Sequence, residues 1–215
     1  MFKCCIFDMD GTVSDTIRSI AYFGNKSLAE INLPPIDTET YKILVGNGAA
    51  ILVHRMLAHY GCDTEENFNK VFPKYKSDYD ADFMYLTEPY DGIMELLKEL
   101  KARGIKTAIL SNKPHSTAQK VSDIMFGDKL IDICRGETPE VPIKPDPKGL
   151  FLLLDEFGLT PDECIYIGDT GTDVATGKSA GAFTVGVLWG FRKKPELEDA
   201  DAIISHPREI LSFLD

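Results

Sequence analysis

Asp8-Met9-Asp10-Gly11-Thr12-Val13 follows directly on the apolar run Cys4-Cys5-Ile6-Phe7. Two carboxylates two residues apart, at the C-terminal end of a buried strand, point the same way for as long as the backbone stays extended. Acids held together repel, and a cation or a shared proton is what relieves them. The simplest chemistry for such a pair is a magnesium-assisted reaction with an aspartate as nucleophile. Asp-Gly is equally the composition of a plain turn, so the pair by itself leaves both readings open.

Further polar groups stand where other strands end. Ligands of open parallel sheets bind beyond the carboxyl ends of the strands, so the residues following each strand carry the information. Ser111, Asn112 and Lys113 follow Lys106–Leu110, and Lys144 lies in a loop with Pro139, Pro142, Pro145 and Pro147. Gly168-Asp169-Thr170-Gly171-Thr172-Asp173 follows Cys164–Ile167. Singly, each has a structural explanation. Ser111 or Asn112 suits the cap of a helix starting near Pro114, Lys144 a solvated loop, and Asp169 a turn or N-cap. Four successive strand ends that together supply acids, a hydroxyl, an amide and a lysine point to phosphoryl transfer through a carboxylate.

The elements that position these groups are read from periodicity. A strand spans 3–8. Ile17, Ile20, Gly24, Leu28 and Ile31 fall on one helix ended by Pro34-Pro35, and Val53, Met56, Leu57 and Tyr60 on another closed by Gly61. A third helix covers 64–81, with Pro73 marking a kink or break, and nothing between 14 and 86 reads as a strand. From Pro89 the pattern alternates. Helices are expected at 93–104, 114–126 and 150–158, from Thr172 and from Pro207. Strands are expected at 106–110, 131–134, 164–167, 183–187 and 202–204. Alternation implies right-handed crossovers and a parallel sheet covered on both faces. The expected fold is α/β: a three-layer, Rossmann-like parallel sheet core from 1–13 and 89–215, with an inserted α-helical cap at 14–88.

Composition narrows the partners. The 215 residues carry 44% hydrophobic and 27% charged side chains with a formal charge of −11, so nucleic acid and anionic membrane surfaces are not expected partners. No run reaches the ~18 apolar residues that span a bilayer, and the first residues do not read as a signal peptide. Five cysteines form no Cys-x-x-Cys pair, which speaks against a disulfide framework or zinc site and for a reduced, cytoplasmic setting. His54 and His59 do not share a metal-binding face, His115 and His206 read as helix starts or surface residues, and Trp189-Gly190-Phe191 reads as packing. A monomer or homodimer is expected.

The motifs Asp8-Met9-Asp10-Gly11-Thr12, Ser111-Asn112, Lys144-Pro145-Asp146-Pro147 and Gly168-Asp169-Thr170-Gly171-Thr172-Asp173 occur in the order of the haloacid dehalogenase superfamily of phosphohydrolases, which the chain resembles over its whole length. The helical insert looks like that family's type C1 cap. The resemblance implies a magnesium-dependent phosphatase in which Asp8 is the nucleophile and forms an aspartyl-phosphate. Asp10 would protonate the leaving oxygen, then activate water, with its backbone carbonyl on the metal. Asp8 and Asp169 would ligate Mg2+, and Asp173 would be a ligand or stand one shell behind. Ser111 and the backbone amide of Asn112 would hold phosphoryl oxygens, and Lys144 would offset the charge of Asp8 and phosphate.

Val45-Gly46-Asn47-Gly48 leads into a cap helix, and its amides suit either an anionic group or a plain helix start. Together with Pro89-Tyr90-Asp91-Gly92-Ile93 and Ser111-Asn112-Lys113-Pro114 it resembles the phosphoglycolate phosphatase branch, making Gly46, Asn47 and Gly48 candidate substrate contacts. Arg18 and Arg55 are further cap cations that would reach a substrate carboxylate. The expected substrate is a small anionic phosphate monoester, with 2-phosphoglycolate favoured. A pyrophosphatase, a broad sugar-phosphate phosphatase or a β-phosphoglucomutase-like enzyme are alternatives within the fold, and a non-catalytic phosphometabolite-binding protein the alternative outside it. A dehalogenase is disfavoured, since the family's dehalogenases lack the second acid that Asp10 supplies.

Overall fold

The computed structural model describes the backbone through Leu214 and every side chain within it except that of Asp128. β1 (Cys4–Phe7) leads to a two-residue strand, β2 (Ser14–Asp15). The helices α1 (Ile17–Leu28), α2 (Thr38–Leu44), α3 (Ala49–His59) and α4 (Glu65–Ala81) follow, and β3 (Glu88–Pro89) closes that stretch. Then come α5 (Ile93–Ala102), β4 (Lys106–Pro114), α6 (His115–Leu130), β5 (Ile133–Glu137) and α7 (Lys148–Phe157). β6 (Cys164–Gly168), α8 (Gly171–Ala180), β7 (Phe183–Val187), β8 (Ala202–Ile204) and a 3₁₀ segment at Pro207–Phe213 complete the chain. The residues form two compact units, Met1–Asp15 with Glu88–Asp215, and Thr16–Thr87.

In the first unit a six-stranded parallel sheet runs in the order β5-β4-β1-β6-β7-β8. β1 is buried along its whole length, as a central parallel strand must be. One sheet face carries Cys4, Ile6, Ala108, Leu110, Cys164 and Tyr166 against Leu150, Leu153 and Leu154 of α7 and Ala180 of α8. The alternate residues Cys5, Phe7, Ile109, Ile165 and Ile167 are fully buried on the other face, and α5 buries Ile93, Leu96, Leu97 and Leu100. The chain moves outward from β1 to β4 and β5, then returns to β6 on the far side of β1. That reversal opens a crevice at the carboxyl ends of β1, β4 and β6. The three-layer α/β architecture expected from strand–helix alternation is present.

The second unit, Thr16–Thr87, is helical. Its core holds Phe23, Leu28, Tyr41, Val53, Met56, Leu57, Val71 and Tyr75, all buried. Gly24 sits where a Cβ would collide with the Tyr41 ring, so its place on the apolar face reflects close packing. Asn25 donates to the Ile36 carbonyl and accepts from the Ile36 N–H and the Tyr41 hydroxyl.

Several local expectations need correction. α4 runs unbroken through Pro73, because Val71, Tyr75 and Tyr79 bury their side chains on both sides of it. The seven residues of α2 are too few to show a period, although the Asp37 carboxylate caps them by accepting from the Thr40 N–H at 2.9 Å. A strand pair does exist within 14–89: β2 and β3 pair antiparallel, Ser14 with Pro89 and Asp15 with Glu88, each too short to alternate visibly. β5 starts at Ile133 rather than 131, and α6 reaches Leu130 with Gly127 (φ 67°) interrupting it. β4 continues past Leu110 to Pro114 through a register shift, so Ser111, Asn112 and Lys113 lie on the strand's own end. The last helix is 3₁₀. All five cysteines are free, and no helix among the described residues is long and apolar enough to cross a membrane.

Candidate active site

Asp8 leaves the end of β1, its N–H bonded to the Ile167 carbonyl of β6 at 2.8 Å. Its side chain is 10% exposed and Oδ1 lies 2.6 Å from the ammonium of Lys144, whose side chain is 4% exposed and whose ammonium also lies 2.7 Å from Asp173 Oδ1. Burial works against the Lys144 charge, but Asp173 and then Asp8 outweigh it and hold the lysine pKa well above its usual value. Asn112 fixes that lysine from the backbone: Oδ1 accepts the Lys144 N–H at 2.7 Å and Nδ2 donates to the Lys144 carbonyl at 3.2 Å. The Asn112 side chain is therefore a clamp on the Lys144 loop, where the Lys144–Pro145 peptide is cis.

Two further acids come from the β6–α8 junction. Asp169 is fully buried, Oδ1 accepting from the Thr12 hydroxyl at 3.1 Å and Oδ2 from the Phe191 N–H at 2.7 Å. Asp173 caps α8 reciprocally with Thr170, and its other oxygen takes Lys144 and the Tyr166 hydroxyl at 3.2 Å. The approach is so close that glycine is required on both sides. A Cβ at Gly11 (φ +91°) would enter the Asp169 carboxylate, and one at Gly168 would strike Asp173. Trp189 donates its indole N–H to the Thr12 carbonyl at 2.9 Å, holding the turn that follows the first acids.

Charge inside this cluster is unbalanced. Burial raises the Asp8 carboxyl well above the ordinary aspartate pKa, and the charges of Asp173 and Asp169 add to that rise more than Lys144 subtracts. Burial and the neighbouring Asp173 charge likewise push Asp169 to about 7. Asp8, Asp169 and Asp173 each offer an oxygen within 4.8 Å of the others. Three buried carboxylates against one ammonium form an all-oxygen donor set short of positive charge, which fits a hard divalent cation. Asp169 and Asp173 each already accept through both oxygens, Asp169 from Thr12 and Phe191 and Asp173 from Lys144 and Thr170. The Asp10 carboxylate stands outside this triad: Oδ2 lies 3.1 Å from the Lys113 ammonium, while Oδ1 is buried without a partner among the described residues. Ser111 is buried, its hydroxyl accepting the Lys113 N–H at 3.2 Å.

The model of the haloacid dehalogenase-like hydrolases matches residues 2–181. The chain belongs to that family. A phosphoglycolate phosphatase of Rhodospirillum rubrum is 35% identical to this hydrolase over 201 residues, 91% of this chain and 83% of that one. An N-acetylmuramic acid 6-phosphate phosphatase of Pseudomonas aeruginosa is 29% identical, covering 99% of this chain and 95% of its own. A solved structure of a candidate phosphoglycolate phosphatase from Lactobacillus delbrueckii superposes with a TM-score of 0.94 at 28% identity, covering 99% of the hydrolase and 98% of that chain. The hydrolase is accordingly an enzyme of the phosphoric monoester class.

The remaining candidates lie in the helical unit of the hydrolase. Gly46 (φ 122°), Asn47 (φ 61°) and Gly48 (φ 86°) form a turn of three consecutive left-handed residues. Gly48, not Asn47, is the N-cap of α3. Arg55 secures the turn, donating to the Leu44 carbonyl at 2.9 Å and to Asn47 Oδ1 at 3.1 Å, so its guanidinium has an intramolecular task. Arg18 is exposed on α1. Thr12 and Lys113 stand in the motifs without a role assigned to either, and the hydrogen bonds of Trp189 and Tyr166 leave no signal in the sequence. The available signal for Lys113 was its position two residues after Ser111 on an extended strand, which puts both side chains on one face.

Proposed function

We propose that this hydrolase cleaves a small anionic phosphate monoester, 2-phosphoglycolate foremost, through an aspartyl-phosphate on Asp8. The observation that carries this reading is the buried Asp8–Lys144 contact of 2.6 Å at the sheet's carboxyl edge, with Ser111 and Asp10 on adjoining segments. Asp8 attacks phosphorus, and the ester oxygen leaves as it takes a proton from Asp10. Asp10 then removes a proton from water as that water attacks the phosphoryl group, which returns Asp8 as a carboxylate. Lys144 lowers the repulsion between Asp8 and the incoming phosphate, while the Ser111 hydroxyl and the backbone N–H of Asn112 hold phosphoryl oxygens. Mg2+ at Asp8, Asp169 and the Asp10 carbonyl, with Asp173 behind them, would neutralise negative charge on the transferring group.

The R. rubrum relative supports the glycolate ester, and the P. aeruginosa relative supports a second reading, a sugar phosphate. A panel of 2-phosphoglycolate, pyrophosphate and sugar phosphates, assayed with Mg2+, decides between them. We expect kcat/KM for 2-phosphoglycolate to lead by about tenfold or more, a margin of ~1.4 kcal/mol. Uniformly low values across the panel would reject a dedicated substrate. In the same assay excess chelator is expected to abolish turnover and added Mg2+ to restore it; undiminished activity in chelator would reject the metal assignment. Five free cysteines, four of them buried, are consistent with a reducing compartment.

A further inference from the structure

We propose that Lys113 positions Asp10 for proton transfer, a role that rests on the proposed assignment of Asp10 as the acid at the leaving oxygen. The Lys113 side chain is 7% exposed and its ammonium lies 3.1 Å from Asp10 Oδ2. A lysine is seldom buried without a specific partner, because removing its charge from water is costly. The contact also makes the two Asp10 oxygens unequal. Oδ2 is held by the ammonium, and Oδ1, buried with no partner among the described residues, is the oxygen left to exchange a proton with substrate or water.

The backbone around Lys113 is built to hold it there. Its N–H donates to Ser111 Oγ at 3.2 Å, and the register shift of β4 against β5 falls between Leu110 and Pro114. Shifts of this kind re-aim side chains at strand ends. Gly136 of β5 packs so closely on the Lys113 carbonyl that any Cβ there would collide with it. His115 adds a further brace, its Nδ1 accepting the Gly136 N–H at 3.3 Å. Ser111 and Lys113 are both buried and Asn112 between them is half-buried, so one strand end serves two tasks. The odd-numbered side chains face the phosphate and the acid, and Asn112 clamps Lys144.

In the step concerned, the bond between phosphorus and the ester oxygen breaks as Asp8 bonds to phosphorus. The Asp10 proton passes to the departing oxygen, and Asp10 becomes a carboxylate. Lys113 gives up no proton in this step. It fixes the carboxyl plane before transfer and pairs with the carboxylate afterwards.

Leaving-group dependence tests this role. The rate constant kcat/KM covers steps only through formation of the aspartyl-phosphate, so the shared hydrolysis of that species drops out. An alkyl leaving group needs the proton, whereas p-nitrophenolate leaves well without it. We therefore expect the ratio of kcat/KM for 2-phosphoglycolate and for glycerol phosphate to that for p-nitrophenyl phosphate to fall about tenfold or more in Lys113→Met. Lys113→Gln should fall less, and Lys113→Arg should recover most of the native ratio. Because a ratio does not depend on the fraction of active protein, partial misfolding leaves it intact.

Native ratios in Lys113→Met and Lys113→Gln would overturn the proposal. So would a fall confined to 2-phosphoglycolate, which would make Lys113 a carboxylate-binding group instead. Asp10→Asn separates the two levels. A native ratio in that variant removes the acid role of Asp10 and the proposal with it, whereas a depressed ratio beside native Lys113 variants overturns the role of Lys113 alone.

Discussion

Asp8→Asn is expected to lower kcat by about 10³-fold or more on every phosphate ester, because the proposed nucleophile is replaced by a weak one. The same change is expected to raise the melting temperature when no divalent cation is present. The Asp8 carboxyl is pushed well above its usual pKa by burial, then by the charges of Asp173 and Asp169. An acid whose pKa is raised by folding costs stability at every pH above its unfolded value, and a neutral amide removes that cost. Lys144 retains Asp173 at 2.7 Å as a partner, so it is not stranded by the change. Steady-state kinetics and thermal melts of the native and Asp8→Asn proteins check both halves. Residual turnover within tenfold of native would dismiss Asp8 as nucleophile, and a lowered melting temperature would mean that the attraction to Lys144 outweighs the repulsion.

The largest loss of stability is expected from Lys144→Met. Its ammonium is the cation bonded to both Asp8 and Asp173, and it is 4% exposed. Removing one partner of a buried ion pair leaves uncompensated charge and typically costs about 3–5 kcal/mol. For a chain of this size that corresponds to a melting-temperature drop on the order of 10 °C. Activity should fall along with stability, since Asp8 would then face an anionic substrate without its counter-charge. The double variant Asp8→Asn/Lys144→Met should recover part of the lost stability, because one of the stranded carboxylates is gone. A Lys144→Met protein as stable as the native one would contradict this account of the cluster.

The site acids were legible because each sits at a strand's carboxyl end, and the strands announce themselves as apolar runs with turn residues behind them. Asp8, Asp169, Asp173 and Lys144 do converge at the edge of the parallel sheet that strand–helix alternation implies, whereas the strand order that brings them together is visible only in the structure. Long-range contacts between side chain and backbone were not legible. Nothing in the spacing of Asn112 and Lys144 says that an amide will clamp a loop 32 residues away, nor that the Trp189 indole will hold the Thr12 carbonyl. Lys113 was visible at its strand end but not its partner, because Asp10 lies on another strand's exit, 103 residues earlier in the chain. The short elements were missed for a different reason. β2, β3 and α2 are each too brief for their periodicity to exceed the noise of composition.

The pairing of β2 with β3 has an architectural consequence. Asp15 and Glu88 are Cα partners, so the chain departs from the sheet-bearing unit and rejoins it at adjacent points. From the sheet's side the long excursion amounts to a hairpin loop, and the entropy of closing it hardly grows with the length of what it carries. The intervening residues are thus interchangeable in principle. A lineage can lengthen, shorten or replace them wholesale without disturbing the register of any strand that bears the acids.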